Sequence, residues 1–555
     1  MTNRYEGGDL LVEALKHLGV RQIFSVSGGV INSIYSAAAT HGMCLVHTRH
    51  EAAAAFMAEA VGRQTGVPGV AAVTVGAGVT NTVTPAFVAK RAGTPLLIIG
   101  GQVPTPVFDR GAVLAADHLP IMASVTKWSA RVHSTERIPE YVEAAWRHIW
   151  AGRPGPVFLE IPVDVLAAEA ERGPRPDHRI PRPGLDASTS AALAQALSKA
   201  VQPLLIVGDD THWDPPAGLQ EVIEHLHLPF VTARLGRGAV DERHPLWVGP
   251  GYTPANRTLR TALAEADLVI LLGHHFEAEL GYGESVAQDA KVVQCSFDPA
   301  SIGRNRRATL NIVATPSATV AFMKGLAPGP VDRSWVDTTV ASWRDEREAQ
   351  AGDDATVPPI HPVVAVDAVL AALPEDSLIV TSHGNVDFWA DVRIRVRAAR
   401  RYLRAGQAGA LGAEIPYAIG AKFAEPERPV VVFVGDGGIG YHVAELDTAA
   451  RYDRPVVVVV LDDEKWTAVA LPQREAYGAE YEMDLPARDW PSLAIALGGT
   501  GARAETVEEI GAAVGAALTA GKPAIIQVPV RSVLGPFMDY VSKSIAEKTP
   551  ARGSH

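Results

Sequence analysis

Two unbroken aliphatic runs, Val430–Val434 and Val456–Leu461, constrain the fold of this chain more than any other feature. Strands without polar alternation lie in the middle of parallel sheets that helices cover on both faces. Gly435-Asp436-Gly437-Gly438 follows the first run directly, and a segment of helical character leads to the second. The pattern predicts a doubly wound α/β sheet with a glycine loop at the carboxyl end of a central strand.

The same alternation of helices and short aliphatic strands recurs along the 555 residues, a length that suits about three domains. We predict three doubly wound α/β domains at 1–172, 188–326 and 361–532, joined by proline-bearing linkers at 173–187 and 327–360. A C-terminal tail covers 533–551, and 552–555 reads as a tag remnant. The other predicted strands are Gln22–Val26, Val70–Val75, Thr94–Ile99 and Val157–Ile161 in the first domain, and Leu204–Val207, Phe230–Thr232, Leu268–Leu272 and Val292–Cys295 in the second.

Composition excludes several classes of function. A net charge of −12 argues against a nucleic-acid-binding surface. The two cysteines, Cys44 and Cys295, are too few for a disulfide framework or a thiolate metal cluster. No apolar run approaches the length of about 18 residues that a membrane-spanning helix needs. We expect a cytoplasmic enzyme of small molecules that binds neither nucleic acid nor a membrane.

Two aspartates follow the two aliphatic runs. Asp436 comes after the first strand, and Asp463 after the second, 27 positions later. Because parallel strands end at one edge of a sheet, these carboxylates are expected to lie close together, where they could hold a hard divalent cation against a diphosphate. The alternative is a generic strand–turn–helix unit in which the aspartates only cap helices.

This stretch resembles the cofactor motif of thiamine diphosphate enzymes in the acetolactate synthase and benzaldehyde lyase superfamily. The resemblance implies that Asp436, Asp463 and the backbone carbonyl of Lys465 bind Mg²⁺, with thiamine diphosphate as the cofactor. The family usually has asparagine where this chain has Asp463, and the extra charge could weaken diphosphate binding. The implied cofactor contacts are Gly28, Gly29, Gly78, Asn81, Gly384, Asn385, Val386, Gly409, Leu411, Gly435, Asp436, Gly437, Gly438, Asp463, Lys465 and Trp466.

A second catalytic element is implied far from the metal motif. The segment from His47 to Ala55 resembles the strand-to-helix junction that supplies the family's cofactor-activating glutamate, which here is Glu51. Glu51 would bind N1′ of the aminopyrimidine ring and favour formation of the carbon nucleophile. Its alternative role is that of a glutamate stabilised at a helix N-terminus. Leu411 is implied as the residue that bends the cofactor, with ordinary core packing as the alternative.

The N-terminal third most resembles benzaldehyde lyase, but Val30 and His118 replace that enzyme's distinctive histidine and glutamine. His118 is therefore the candidate substrate-facing acid or base, with a satisfied structural histidine as the alternative. Segments of the middle domain resemble oxalyl-CoA decarboxylases and 2-hydroxyacyl-CoA lyases. This resemblance implies a possible site for ADP or CoA, and less readily FAD, at Asp298 and Arg304. In the tail, Phe537, Met538 and Tyr540 are candidate lid residues over the active site.

The resemblance implies a carbon–carbon lyase or carboligase that acts on a 2-hydroxyacyl-CoA or an acyloin through an acyl-anion intermediate. One alternative is an acetolactate synthase-like enzyme or a 2-oxoacid decarboxylase. A further alternative is a catalytically silent, nucleotide-binding protein of the same fold. In this family the active site is shared between subunits, so we expect a homo-oligomer, either a dimer or a dimer of dimers (a homotetramer).

Overall fold

A computed structural model describes residues 4–173, 177, 180–350, 355–381 and 383–536. Within these residues the chain forms three six-stranded parallel sheets and one two-stranded antiparallel sheet. Helices lie between successive strands of each large sheet, which is the arrangement of doubly wound α/β domains. The predicted fold class is confirmed.

The first domain begins with a strand that pairs with the last strand of the same domain, Arg4 opposite Glu171. Its elements are β1 (Arg4–Glu6), α1 (Gly7–His17), β2 (Gln22–Ser25), α2 (Asn32–Thr40), β3 (Cys44–His47), α3 (Glu51–Thr65), β4 (Gly69–Val73), α4 (Ala77–Thr80), α5 (Val83–Ala92), β5 (Leu96–Gln102), α6 (His118–Ala123), β6 (Trp128–Arg131), α7 (Ile138–Trp150), β7 (Pro156–Pro162), α8 (Val163–Ala167) and β8 (Glu169–Glu171). The order across the large sheet is β3-β2-β4-β5-β7-β6.

The middle domain has the strand order β11-β10-β9-β12-β13-β14. Its elements, with the helix that follows them, are α9 (Ala187–Leu197), β9 (Pro203–Val207), α10 (Asp210–Trp213), α11 (Leu219–Leu226), β10 (Phe230–Thr232), β11 (Trp247–Pro250), α12 (Arg257–Glu265), β12 (Leu268–Leu272), β13 (Lys291–Ser296), β14 (Leu310–Val313), α13 (Pro316–Met323) and α14 (Arg333–Glu348).

The third domain has the strand order β16-β15-β17-β18-β20-β19. Its elements are α15 (Pro362–Ala372), β15 (Leu378–Thr381), α16 (Asn385–Arg393), β16 (Tyr402–Arg404), α17 (Glu414–Ala424), β17 (Val430–Gly435), α18 (Asp436–Ile439), α19 (Glu445–Arg451), β18 (Val457–Asp462), α20 (Thr467–Tyr477), α21 (Trp490–Ala496), β19 (Thr500–Arg503), α22 (Val507–Thr519) and β20 (Ala524–Pro529).

The first and third domains share one topology. Counted from β2 and from β15, both sheets run in the order second, first, third, fourth, sixth, fifth, whereas the middle sheet runs third, second, first, fourth, fifth, sixth. In each sheet the strand order reverses next to the first strand, so that successive connections leave this point in opposite directions. A crevice opens there at the carboxyl ends of the strands. The crevices lie beside β2 and β4, β9 and β12, and β15 and β17.

The first and third domains pack together through α3 and α17. One hydrophobic core cluster contains residues from both domains, including Ala54 and Phe56 from α3 and Tyr417 and Ala418 from α17. The helices approach so closely that a Cβ added at Gly420 would lie 2.4 Å from the carbonyl oxygen of Met57. This packing fixes the start of α3, and with it Glu51, relative to the third domain.

The predicted linker at 327–360 contains a helix that the composition did not suggest. Asp332 caps α14, and the buried side chains Trp335, Val336 and Trp343 lie on the face that packs against the middle domain. The polar residues that suggested a linker occupy the solvent side of this helix. The helix within this segment is therefore a packed part of the middle unit.

Candidate active site

The crevice of the third domain is lined by loops rather than by large side chains. α16 starts at Asn385 directly after Gly384, whose φ of +123° lies in a region that suits glycine. A Cβ added at Gly384 would meet nothing within 4 Å, and one added at Gly435 would lie 3.4 Å from Val386. The structure thus brings the loop after β15 against the loop after β17, and both leave backbone amides accessible for a phosphate.

Asp436 and Asp463 lie at the carboxyl ends of β17 and β18, as predicted. Asp436 is only 8% exposed. Burial, followed by repulsion from Asp463 and Asp462, raises the pKa of Asp436 to about 8. Burial also raises the pKa of Asp463 to about 6, against the hydrogen bond from Thr467. Two neighbouring carboxylates of this kind are a donor set that suits a divalent oxygen-binding metal.

The turn after Asp463 is held in a strained conformation. Glu464 has a φ of +52°, an uncommon value for a residue with a side chain. The Lys465 ammonium pairs with Glu480 at 2.6 Å and Asp484 at 2.8 Å. The Trp466 amide donates to the carbonyl of Met483 at 2.8 Å. These contacts fix the backbone at Lys465, whose carbonyl is the third predicted metal ligand.

The indole ring of Trp466 lies against the glycine loop at residues 435–438. A Cβ added at Gly437 would lie 2.5 Å from the indole ring of Trp466, so this position accepts only glycine unless the ring moves. Gly438 is buried and completes the loop at the start of α18. No group of three or more His, Cys, Asp or Glu side chains suited to a metal occurs in the described part of the chain. The predicted set, with two carboxylates and one backbone carbonyl, is of a different kind and fits a cation that also binds a diphosphate.

Glu51 is the first residue of α3. His50 is the N-cap residue before Glu51. Nδ1 of His50 accepts a hydrogen bond from the Ala52 amide at 3.0 Å. The Asn81 side-chain amide donates to Glu51 Oε2 at 2.9 Å. A Cβ added at Gly78 would lie 3.8 Å from Glu51 Oε1. Glu51, Gly78 and Asn81, which were predicted from two separate motifs, therefore form one cluster at the crevice of the first domain.

The glycine loop after β2 closes the same cluster from one side. A Cβ added at Gly28 would lie 2.2 Å from Oγ1 of Thr74, so only glycine fits against this threonine. A Cβ at Gly29 would meet nothing within 4 Å. Val30 packs against the core of the first domain, which explains why an apolar residue stands there.

The structure corrects the expectation that His118 faces the substrate. The side chain is fully buried, Nδ1 lies 2.7 Å from Glu160 Oε2, and Nε2 accepts from the Gly76 amide at 3.0 Å. Burial tends to raise the pKa of Glu160, but hydrogen bonds from His118 and Arg131 outweigh it and hold that pKa below its ordinary value. Both ring nitrogens are therefore in use. His118 positions the loop that carries Gly78 and Asn81 instead of exchanging protons with a substrate.

Glu445 of α19 links the third domain to the residues just before α3, a contact that the sequence analysis did not predict. Its Oε1 accepts hydrogen bonds from the amides of Arg49 and His50, each at 3.0 Å. Burial raises the pKa of Glu445 to about 7, although the hydrogen bond from Thr448 opposes this rise. The ring of His50 lies 5.8 Å from that of His442, whose Nδ1 lies 2.7 Å from the Gly412 carbonyl. A contact between residues nearly 400 positions apart leaves no local sequence signal.

Leu411 and Gly409 lie in the loop between β16 and α17. Gly409 has a φ of +66° and no atom within 4 Å of an added Cβ. Leu411 is half-buried in the turn before α17. The next residue, Gly412, packs against Tyr441 and His442, just beyond the Gly435–Gly438 loop. The structure therefore places Leu411 near the cofactor loop, and its bending role remains a prediction.

Asp298 and Arg304, the residues predicted for a nucleotide site, both bind protein partners in the structure. Asp298 caps a short helical turn, where its carboxylate accepts hydrogen bonds from the Ala300 amide and the Ser301 hydroxyl. Arg304 is half-exposed and donates to Glu277 at 3.2 Å. Both side chains are engaged with protein partners, which gives no support to the expected ADP or CoA site at these residues.

The tail begins against the cofactor crevice. The Asn385 side chain donates to the carbonyl of Val533 at 2.6 Å, and the Gly535 amide donates back to its oxygen at 2.6 Å. Trp389 Nε1 donates to the same Val533 carbonyl at 3.1 Å. The predicted lid residues Phe537, Met538 and Tyr540 lie outside the described residues.

Comparisons with known proteins agree with this architecture. The N-terminal binding domain of thiamine pyrophosphate enzymes matches residues 5–121, the central domain 190–323, and the C-terminal binding domain 382–528. These matches cover most of the chain, which therefore belongs to the thiamine pyrophosphate enzyme family. The predicted superfamily is confirmed, and with it domains of the kind that bind thiamine diphosphate.

The proteins similar to this chain are named as two different kinds of enzyme. The chain is 31% identical to 2-hydroxyacyl-CoA lyase 2 of Caenorhabditis elegans, over 91% of this chain and 85% of that protein. It is 29% identical to an acetolactate synthase large subunit of Mycobacterium tuberculosis, over 94% and 95%. An acetolactate synthase large subunit of Parasynechococcus marenigrum is 31% identical, over 95% and 87%. The similarity thus establishes the enzyme family without choosing between a lyase and a synthase. None of the helices in the described ranges has the length and apolar character to cross a membrane.

Proposed function

We propose that this chain is a thiamine diphosphate-dependent carbon–carbon lyase and carboligase that acts on a 2-hydroxyacyl-CoA or an acyloin. The observation that carries the proposal is the pair of clusters described above: Glu51 with Asn81 in the first domain, and Asp436 with Asp463 in the third. Similarity along nearly the whole chain to 2-hydroxyacyl-CoA lyases supports this reaction, and the comparable similarity to acetolactate synthases supports the second candidate below.

The third domain would hold the diphosphate and its cation. We propose that the Asp436 and Asp463 carboxylates and the Lys465 carbonyl bind Mg²⁺, while amides of the loops at Gly384 and Gly435–Gly438 bind the phosphates. Once the cation is present, its charge removes the repulsion between the two carboxylates. Bound thiamine diphosphate would supply the carbon nucleophile that adds to the substrate carbonyl and accepts the electron pair of the broken bond.

Glu51 would hold and move a proton at its carboxylate. The Asn81 amide fixes Oε2, which leaves Oε1 near Gly78 to bind a ring nitrogen of the cofactor. His118 and Glu160 act indirectly, because they hold the Gly76 amide and so the loop that carries Asn81. Glu51 is half-buried, and a bound cofactor would cover the part of its carboxylate that water still reaches.

The proposed cleavage conserves all atoms. The bond between the carbonyl carbon and the hydroxyl-bearing carbon of the 2-hydroxyacyl-CoA breaks, and the hydroxyl loses its proton as that carbon becomes an aldehyde or ketone. The carbonyl carbon keeps the electron pair, takes up one proton and leaves as formyl-CoA. An acyloin would divide in the same way into two carbonyl compounds, and carboligation is the reverse.

An acetolactate synthase-like enzyme or a 2-oxoacid decarboxylase is the second candidate, supported by the similarity to acetolactate synthases. In the middle domain the loops after β9 and β12 pack closely, since a Cβ added at Gly208 would lie 2.4 Å from Cβ of His274. This packing weighs against FAD beside these two strands. A silent nucleotide-binding protein is less consistent still, because the Glu51 and Asp436 clusters are both complete.

We also propose that the working enzyme is a homo-oligomer, a dimer or a dimer of dimers, as the family resemblance implies. Glu51 of one subunit would then act on cofactor held by the third domain of another. Analytical ultracentrifugation of the protein with and without cofactor tests this assembly. A monomer that turns over substrate at full rate would contradict it.

The decisive experiment is a substrate panel on protein loaded with thiamine diphosphate and Mg²⁺. Pyruvate, an aromatic acyloin and a short 2-hydroxyacyl-CoA are assayed with the wild type, with Glu51→Gln, and with Glu140→Gln as an exposed control. We expect cleavage of the thioester or the acyloin, reduced at least about 100-fold in Glu51→Gln and unchanged in Glu140→Gln. Turnover of pyruvate alone would favour the second candidate, and failure to bind thiamine diphosphate would refute both.

A further inference from the structure

A basic cavity lies on the side of the third domain that faces away from the cofactor crevice. Ser377 and Arg401 directly precede β15 and β16, so the cavity is at the amino ends of these strands, whereas Asp436 is at a carboxyl end. Arg347 of α14 and Arg243 of the middle domain complete the wall. The cavity encloses about 240 Å³, several times the volume of a water molecule.

Positive charge dominates this cavity although the whole chain is acidic. Two carboxylates, Asp367 and Glu375, face six guanidinium groups, in a protein whose net charge is −12. The six arginines are Arg243, Arg347, Arg393, Arg395, Arg397 and Arg401. We name this cavity the arginine pocket.

Four carboxylates pair with arginines of the pocket and neutralise only part of its charge. Asp241 pairs with Arg243 at 2.6 Å, and Glu425 pairs with Arg401 at 3.4 Å. Asp367 takes both hydrogen bonds from Arg393, at 2.9 and 2.6 Å. Glu375 is largely exposed and pairs with Arg397 at 2.5 Å. Arg395 is exposed and makes no hydrogen bond or ion pair with any residue that the structure describes. An arginine that borders a cavity without a partner is available to an anion.

Two buried polar groups of the arginine pocket also lack partners within the described chain. The Ser377 side chain is 7% exposed, and its hydroxyl makes no hydrogen bond. Nε of Arg347 is also buried, and it makes no hydrogen bond with the described residues. Burial, with repulsion from Arg393 and Arg395, lowers the pKa of Arg347 to about 10. Buried donors without acceptors are costly, and a bound acceptor would remove that cost.

We propose that the arginine pocket binds the phosphate groups of a small organic phosphate. Guanidinium groups with a serine hydroxyl suit phosphate oxygens, which accept several charged hydrogen bonds at once. Leu370, Leu373 and Val396 form an apolar part of the wall that would accept the organic portion of the ligand. The ligand is a free nucleotide or the phosphate-bearing end of a CoA thioester, since both present the same chemistry.

The arginine pocket is distinct from the predicted cofactor site yet connected to it by one helix. α16 starts at Asn385 in the diphosphate loop and ends at Arg393 in the pocket wall. Nine helical residues rise by about 13 Å, so a long substrate could span the two sites. A free nucleotide would instead bind as a separate effector.

Titration calorimetry on the full chain, saturated with thiamine diphosphate and Mg²⁺, tests the proposal with pyrophosphate and with ADP. Saturation ensures that neither probe reports on the cofactor site. We expect one saturable site that weakens at least about 10-fold in Arg395→Ala and a few-fold in Ser377→Ala. Arg503→Ala, an exposed arginine of the same domain outside the pocket, serves as the control and should bind like the wild type.

Kinetics distinguish the two sources of phosphate. If Arg395→Ala raises KM for a 2-hydroxyacyl-CoA but not for an acyloin, the arginine pocket holds the CoA end of the substrate, a result that rests on the proposed function. Binding of ADP without any such change in KM assigns the pocket to a free nucleotide. Absence of saturable binding by both probes, or equal binding in Arg395→Ala and Arg503→Ala, overturns the proposal whether or not the chain is a lyase.

Discussion

The crevices of the third and middle domains lie at equivalent places in their sheets, but their contents are opposite. Beside β15 and β17 stand glycine loops and two carboxylates whose pKa values are raised by burial. Beside β9 and β12, Asp209 pairs with Arg153 and Arg234, each at 3.2 Å. In the described residues no ion pair to Asp436 or Asp463 is found in the third-domain crevice, whereas the middle crevice contains the counter-charges of Asp209 already.

The difference shows how one architecture either binds a ligand or does without one. In the middle crevice Arg234 also pairs with Glu277 at 2.9 Å, and Asp210 accepts hydrogen bonds from the Ser296 hydroxyl and the Phe297 amide. These contacts give the buried charges of Asp209, Asp210 and Arg234 protein partners. In the third crevice the corresponding groups are left for a cation and a diphosphate. The fold therefore predicts where a site can be, and the loop residues decide whether it exists.

The largest expected effect separates the two crevices by their aspartates. Asp436→Asn should lower the affinity for thiamine diphosphate and Mg²⁺ by about 100-fold or more, because a metal ligand is lost, while thermal stability is unchanged or higher. Asp209→Asn should leave cofactor affinity unchanged and cost roughly 3 kcal/mol of stability, because Arg153 and Arg234 lose a buried partner. Cofactor titration and denaturant unfolding of both variants measure the contrast.

If Asp209→Asn weakened cofactor binding as much as Asp436→Asn did, the two crevices would not be independent. If Asp436→Asn destabilised the cofactor-free protein instead, its carboxylate would have a structural role that the present interpretation does not contain. Wild-type protein without added cofactor is the control for both measurements.

A smaller contrast concerns the glycines. In Gly437→Ala the new methyl group would meet the Trp466 ring, which can move, so we expect a roughly 10-fold weaker cofactor affinity in a stable protein. In Gly208→Ala it would meet Cβ of His274 and, at 2.7 Å, the Gly273 carbonyl oxygen, and backbone cannot move as readily. We expect a loss of about 1–3 kcal/mol there, measured by thermal unfolding. Equal stability of the two variants would argue that the middle crevice is as open as the third.

The sequence was most informative where a strand, a glycine loop and a carboxylate are adjacent. Val430–Val434 predicted β17 and Phe230–Thr232 predicted β10 without a shift at the start of either strand. The edge strands β3 and β19 were missed, because edge strands are short and only partly buried and so lack a continuous apolar run. The same limit concealed α14, whose apolar residues are outnumbered by polar ones.

Residue type alone did not predict the contacts that engage a candidate side chain, whether these contacts are distant or local in the chain. His118 looked suited to acid–base chemistry, but Glu160, 42 positions away, takes its Nδ1. Glu445 reaches the amides next to Glu51 across 395 positions. Asp298 and Arg304 matched a nucleotide site, whereas their hydrogen bonds show one capping a turn and the other paired with Glu277. Residue type indicates which chemistry is possible, and only packing shows whether an atom is free for it.

The smallest contrast is in pH dependence. Burial, reinforced by repulsion from Asp209, raises the pKa of Asp210 to about 7 from 3.8, against hydrogen bonds from Ser296 and Phe297. Because the folded-state pKa is the higher one, this group's contribution to stability is complete below about pH 4 and is lost as the pH rises through about 7. Asp210→Asn removes that loss, so its stability relative to the wild type should rise by about 1–3 kcal/mol between about pH 5 and about pH 8. Urea unfolding at both pH values, with saturating cofactor and Mg²⁺, measures the difference. Because the middle crevice binds no cation in this interpretation, the rise should persist with cofactor bound, and its disappearance would show that the two crevices are coupled.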